Sequence, residues 1–106
     1  MDRDKLRTAI DDGNVEWQKH ALERMLERGI SRSAVKEVLS AGDVIENYPY
    51  DKPFPSAFFL GWIGERAYHV VAALDADNKR CFVITAYTPD AEHFEEDFRT
   101  RRQHGN

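Results

Sequence analysis

The amino-acid sequence predicts an α+β fold: two helices packed on an antiparallel sheet of four strands, or five if one short segment joins, with a short helix at each end. Three observations predict it. Apolar residues recur at helical spacing through positions 2–42. Alternating, β-rich segments separated by turn residues fill positions 43–87, and Pro89 then opens a stretch whose acids come early and arginines late.

Residues 2–12 place Leu6, Ala9 and Ile10 on one face and stop before Gly13, which reads as a short amphipathic helix whose small apolar face suits a peripheral place. Residues 14–19 alternate and fit a brief strand. Leu22, Met25, Leu26 and Ile30 then trace one helical face that ends at Gly29, a residue suited to a left-handed cap. A second helix follows at once, capped by Ser31 or Ser33, lined by Val35, Val38 and Leu39 and stopped by Gly42. The two helices therefore meet at a tight corner.

Residues 44–48 read as a strand halted by Pro49, and Pro49, Pro53 and Pro55 mark a loop that cannot continue a central strand. Strands follow at 56–63, 66–74 and 80–87, with Gly64-Glu65 as a Gly-first hairpin turn and residues 75–78 as the next turn. Closing the first hairpin there sets Leu60 opposite His69 and Trp62 opposite Ala67. One face then carries Phe58, Leu60, Trp62, His69 and Val71, the other Phe59, Ile63, Tyr68, Val70 and Leu74. Both are apolar, so the pattern leaves open which face the helices cover, and one extra residue at the second turn would swap the faces of Thr85 and Tyr87. Residues 90–102 read as a last helix, with Arg99, Arg101 and Arg102 complementing the dipole at its end.

At 106 residues, without repeats or Gly/Ser linkers, the chain reads as one domain over 1–106. Its charged fraction of 32% is an ordinary globular share, so disorder is not expected. Cys81 is the one cysteine, which excludes an internal disulfide and a Cys-rich zinc site; in its apolar run it reads as a buried, inert thiol. There is no apolar signal-peptide core near the N-terminus and no run approaching the roughly 18 apolar residues that span a bilayer. The expectation is a cytoplasmic protein with no membrane partner. A net charge of −4 disfavours indiscriminate nucleic-acid binding, though a local basic patch on an acidic protein still binds phosphate.

His20, Arg24 and Arg28 are spaced i, i+4 and i+8 and form a stripe away from Leu22, Met25 and Leu26. Arginines one turn apart repel mildly unless an anion lies among them, which is what a phosphate site looks like. The plainer alternative is a solvated helix face, with Lys19 and Glu23 as an i, i+4 pair. His69, within an apolar strand, is either hydrogen-bonded structure or a proton-transfer group at the edge of a cleft. Thr85 and Tyr87 offer hydroxyls to a phosphate, yet both are common strand residues. His93 and His104 lie in the last helix and tail, and no two histidines have helical metal-ligand spacing, so no metal is expected. Walker, dinucleotide-binding, nucleophile-elbow and Cys-x-x-Cys motifs are absent from the sequence, so no cofactor is expected either.

The block His20-Ala21-Leu22-Glu23-Arg24-Met25-Leu26-Glu27-Arg28-Gly29-Ile30-Ser31, followed by Tyr48-Pro49, Leu60-Gly61, His69-Val70-Val71 and Ile84-Thr85-Ala86-Tyr87, resembles the domain of unknown function 4258 family over about residues 17–90. That family is grouped with RelE/ParE- and BrnT-like toxins and, more broadly, with the barnase–EndoU–colicin–RelE fold. The resemblance implies a RelE-like domain, a toxin of a bacterial toxin–antitoxin pair, an antitoxin protein as partner and RNA as substrate. If activity follows kinship, it is metal-independent RNA cleavage by 2′-OH attack. His20 is then base or acid, Arg24 and Arg28 hold phosphate, His69 is a second proton carrier, and Tyr87 or Thr85 assists. The alternative is a non-catalytic protein-binding module, or a degenerate toxin relative that binds a partner protein, because fold kinship does not fix a reaction. The sequence leaves the oligomeric state open.

Overall fold

Asp2 starts the first helix by accepting the Lys5 N–H at its carboxylate, and α1 runs Arg3–Asp11. Gly13, in the left-handed region at φ 72°, turns the chain into β1, Val15–Trp17. Helix α2 spans Lys19–Arg28 and closes on Gly29 at φ 66°, and Ser31 caps α3, Arg32–Ala41, by accepting the Ala34 N–H. The strands are β2, Asp43–Tyr48; β3, Ser56–Ile63; β4, Arg66–Asp75; and β5, Arg80–Tyr87. This computed structural model describes residues 1–101.

Among the described residues the fold is α+β, three helices with a five-stranded, mostly antiparallel mixed sheet in the order β1-β5-β4-β3-β2. The short segment after α1 does add a fifth strand, but it pairs parallel to β5, with Val15 opposite Cys81 and Trp17 opposite Val83. The first hairpin has the predicted register, Leu60 opposite His69 and Trp62 opposite Ala67. In the second, Val71 faces Thr85 while Ala72 faces Val83, so Ile84 is an extra residue, a β-bulge. That bulge changes which residues share a face. Cys81 and Val83 lie in the core under the helices, while Tyr87 stands directly opposite His69 on the other side of the sheet.

The helices cover the face of Phe59, Tyr68, Val70, Ala72 and Leu74. Helix α1 is not peripheral, since Leu6 and Ala9 are fully buried between α3 and β5. Its Arg3 guanidinium donates from Nη2 to the carbonyls of Leu39 and Gly42, satisfying acceptors that the end of α3 leaves orphaned, while burial depresses its pKa. Helix α2 is rotated from the expected seam. Ala21 and Met25 go inward, one turn apart, and Leu26 is left 84% exposed, because the small Ala21 lets the helix sit close to β5. A Cβ at Gly42 would lie 2.5 Å from the Val38 carbonyl oxygen and 2.6 Å from that of Leu60, so only glycine fits where α3 turns into β2.

Residues 90–101 do not form the expected helix. The Asp90 carboxylate accepts the His93 N–H, Asp97 accepts the N–H groups of Arg99 and Thr100, and Phe98 takes φ 53°. Side-chain acceptors that capture local N–H groups compete with the helical ladder, and a left-handed residue interrupts it. The segment instead lies over the second sheet face. Phe94 is buried against His69, the Phe98 ring packs on Trp62, and Arg101 lies over the rings of Phe58 and Phe94. Ion pairs from Arg99 to Asp43 and from Arg101 to Glu46 fasten it to β2. The expected helix end at Arg102, and His104, lie outside the described residues.

Candidate functional site

His69 is completely buried on the sheet face away from the helices, packed edge-on by the rings of Phe58, Tyr87 and Phe94. Its Nε2 is 2.7 Å from the Phe98 carbonyl oxygen and its Nδ1 is 3.2 Å from the Tyr87 hydroxyl. A carbonyl oxygen only accepts, so Nε2 carries the proton and donates it. In the neutral ring Nδ1 is then an acceptor, and Tyr87 donates its hydroxyl proton to it. Burial, assisted by the positive Arg101, depresses the His69 pKa and keeps the ring neutral, whereas the Phe98 hydrogen bond acts in the opposite sense. Burial likewise raises the Tyr87 pKa, so the phenol keeps its proton.

Tyr87 also lines an open groove of about 440 Å³ at the end of β5, together with Arg28, Arg66, Thr88 and Asp90. Arg28 reaches it from the last turn of α2 and donates from Nη1 to the Ala86 carbonyl at 2.9 Å. Arg66, the first residue of β4, donates from Nε and Nη2 to the Thr88 hydroxyl and stacks over the Tyr68 ring. Each guanidinium has five N–H donors, so both retain donors for an anion in the groove. Asp90 is the one carboxylate in this lining.

The predicted site residues divide into two groups. Arg28, Tyr87 and His69 are brought together. Thr85 is half-buried opposite Val71 on the same face, two residues short of the groove lining. His20 stands apart: its side chain is 87% exposed in the first turn of α2, 3.7 Å from the Glu23 carboxylate. About 12 Å of helix axis separates it from Arg28. Arg24 is exposed on the same helix surface. His20 and His69 therefore do not share a cleft.

Sequence reasoning missed Arg66, Thr88 and Asp90. The available signal was register. Once His69 faces Tyr87, the residue that opens β4 and the one that follows β5 fall at the same end of the sheet. A second omission is the turn of Asp90, Glu92 and His93, whose potential metal-ligand atoms lie within 4.8 Å of one another, all exposed. A search for histidine pairs at helical spacing cannot find it. The Asp90 carboxylate there is held below its usual pKa by hydrogen bonds from the His93 side chain and backbone. Cys81 is buried, and burial pushes its thiol up to about 12.

Among the described residues, no helix is long and apolar enough to cross a membrane. In comparisons with known proteins, the family model described as Domain of unknown function (DUF4258) matches residues 17–88. No curated protein and no solved structure matches the chain. The matched stretch starts at Trp17, the last residue of β1, and ends just after β5, so it includes α2, α3, β2 to β5 and every groove residue except Asp90.

Proposed function

The chain belongs to the DUF4258 family, and from that membership and the groove we propose that it is the toxin of a bacterial toxin–antitoxin pair, a metal-independent endoribonuclease. One observation carries the reading: a phenol hydrogen-bonded to a buried neutral imidazole opens onto a groove that two arginines line. Cleavage by 2′-OH attack needs a proton acceptor and cations around the phosphorane. Tyr87 accepts the 2′-OH proton as it passes its own to His69 Nδ1, and the Phe98 carbonyl steadies the resulting imidazolium through Nε2. Arg28 and Arg66 hold the phosphate. The 2′-oxygen bonds phosphorus, the bond to the 5′-oxygen breaks, and that oxygen takes a proton from solvent, leaving a 2′,3′-cyclic phosphate and a 5′-hydroxyl.

Incubating the purified protein with RNA in EDTA and identifying the product ends tests this. Tyr87→Phe keeps the ring but loses the relay, and cleavage should fall about 100-fold or more. Wild-type rates in Tyr87→Phe would overturn the assignment. Loss confined to His20→Ala would return the catalytic centre to the exposed helix stripe.

A second reading, a non-catalytic module that binds a partner protein, is favoured by the exposed Leu26 beside Leu22, Met25 and Ile30, an apolar depression at the corner of α2 and α3. An antitoxin-like partner seated there would lose its hold in Leu26→Asp, whereas Tyr87→Phe would leave its binding unchanged.

A further inference from the structure

On the same sheet face as His69, two residues beyond Val71 along β4, Ala73 stands opposite Phe82. The chain 49–55, with a cis Lys52-Pro53 bond, folds over this point and lays the Phe54 ring on that of Phe82, with centroids 5.4 Å apart and planes 10° from parallel. Between loop and sheet is a cleft of about 150 Å³, its walls including Phe54, Phe82 and Ile84 and its polar groups Asp51, Lys52, Ser56 and Gln18. It is separate from the groove at Tyr87: the two linings share no residue.

Size, shape and polarity each narrow the occupant. An apolar cavity of about 150 Å³ takes up one benzene ring, so one six-membered ring fits and a fused purine does not. The Phe54 and Phe82 rings are stacked on each other, so a flat guest packs beside the pair rather than between its members. The buried Ser56 hydroxyl donates to Asp51 Oδ2 and orients that carboxylate, whose other oxygen accepts no hydrogen bond among the described residues. A carboxylate selects a ring bearing an amino group, as Asp and Glu do when they accept from cytosine N4. The Gln18 amide, exposed at the rim, supplies a donor for the ring's acceptors.

We infer that this cleft is a base-binding site for cytosine, in the form of a cytidine of an RNA strand. Ala73 is about 13 Å from His69 along β4 and residues 90–101 cover the sheet at His69, so a strand that engages both the cleft and the arginine-lined groove passes outside that cover. The inference deepens the nuclease reading and, as a statement about substrate choice, rests on it. The cleft chooses the base beside which the Tyr87 end cuts.

Binding is measured without cleavage, by following backbone amide resonances of the full chain while cytidine 3′-monophosphate or uridine 3′-monophosphate is added. Cytidine monophosphate should shift Phe54, Ala73 and Phe82 saturably and bind about tenfold more tightly than the uridine nucleotide. Asp51→Asn should erase that preference, and Phe54→Ala should weaken cytidine binding about tenfold or more, with resonances far from the loop unmoved. Absence of shifts at the cleft, shifts confined to Arg28, Arg66 and Thr88, or an unchanged preference in Asp51→Asn would each overturn the inference. Selective cytidine binding by a chain that cuts no RNA would sink the nuclease reading and leave the base site standing. RNA cleavage with no cytidine preference and no cleft shifts would do the reverse.

Discussion

The two faces of the sheet are made by alternate residues of the same strands, yet they are closed by different means. Under the helices, Phe59, Val70 and Val83 are fully buried with Leu6, Val35 and Leu39 in a core of aliphatic and aromatic carbon. Over the other face, residues 90–101 rest on Phe58, His69 and Tyr87 through ring edges, one imidazole hydrogen bond and a guanidinium laid across two rings. Burial of apolar surface is non-directional and strong; edge contacts and exposed ion pairs are directional and individually weak. Fold stability therefore sits on the first face, and chemistry can sit on the second at small cost to it.

Neighbouring residues Phe59 and Phe58 give the sharpest contrast. Phe59→Ala should cost about 3–5 kcal/mol, while Phe58→Ala should cost clearly less, because the turn-rich cover can settle into the space and the helices cannot. Urea denaturation of both variants measures this, and equal losses would break the distinction between the faces. Next in size is a pH effect. The folded chain prefers neutral His69, so its contribution is intact above the unfolded value near pH 6.5 and is lost as pH falls toward the depressed folded value. Stability followed from pH 7.5 to 5 should therefore decline more steeply in wild type than in His69→Gln. Identical slopes would mean the ring is not held neutral. The smallest effect belongs to Arg101→Ala, about 0.5–1 kcal/mol from its ring contacts, since its ion pair with Glu46 is exposed. Hydrogen exchange should report it as faster opening of residues 90–101 with the helical face unchanged.

Much of this contrast was legible in the residues. Gly29, Ser31 and Gly42 announce the helix ends because caps and stops are local chemistry, and Gly64-Glu65 pins the first hairpin because a two-residue turn leaves one register. The choice of covered face was not legible, since Phe58 and Phe59 are equally apolar and only tertiary packing decides between them. Leu26 misled for a related reason. It has the right spacing to face inward, but the smaller Ala21 permits closer approach to β5 and takes the inner position. The last helix failed because Asp90 and Asp97 spend their carboxylates on nearby N–H groups, a competition that helix dipole arguments do not weigh. Of the candidate site, Arg28, His69 and Tyr87 meet. Their convergence depends on long-range register, whereas His20 was chosen from spacing on one helix, which carries no information about the far side of the sheet.

The extra residue at Ile84 has a consequence for how such a protein can change. Upstream of it, odd-numbered positions of β5 point toward the helices; downstream they point the opposite way, and Tyr87 meets His69 only for that reason. Smoothing the bulge at the same length would restore even alternation, turn the phenol inward and present Ala86 in its stead, whereas deleting Ile84 would leave Thr85 opposite Val71 and Tyr87 opposite His69. At its present length the bulge, more than residue identity, is what this strand must keep to hold its hydroxyl on the outer side.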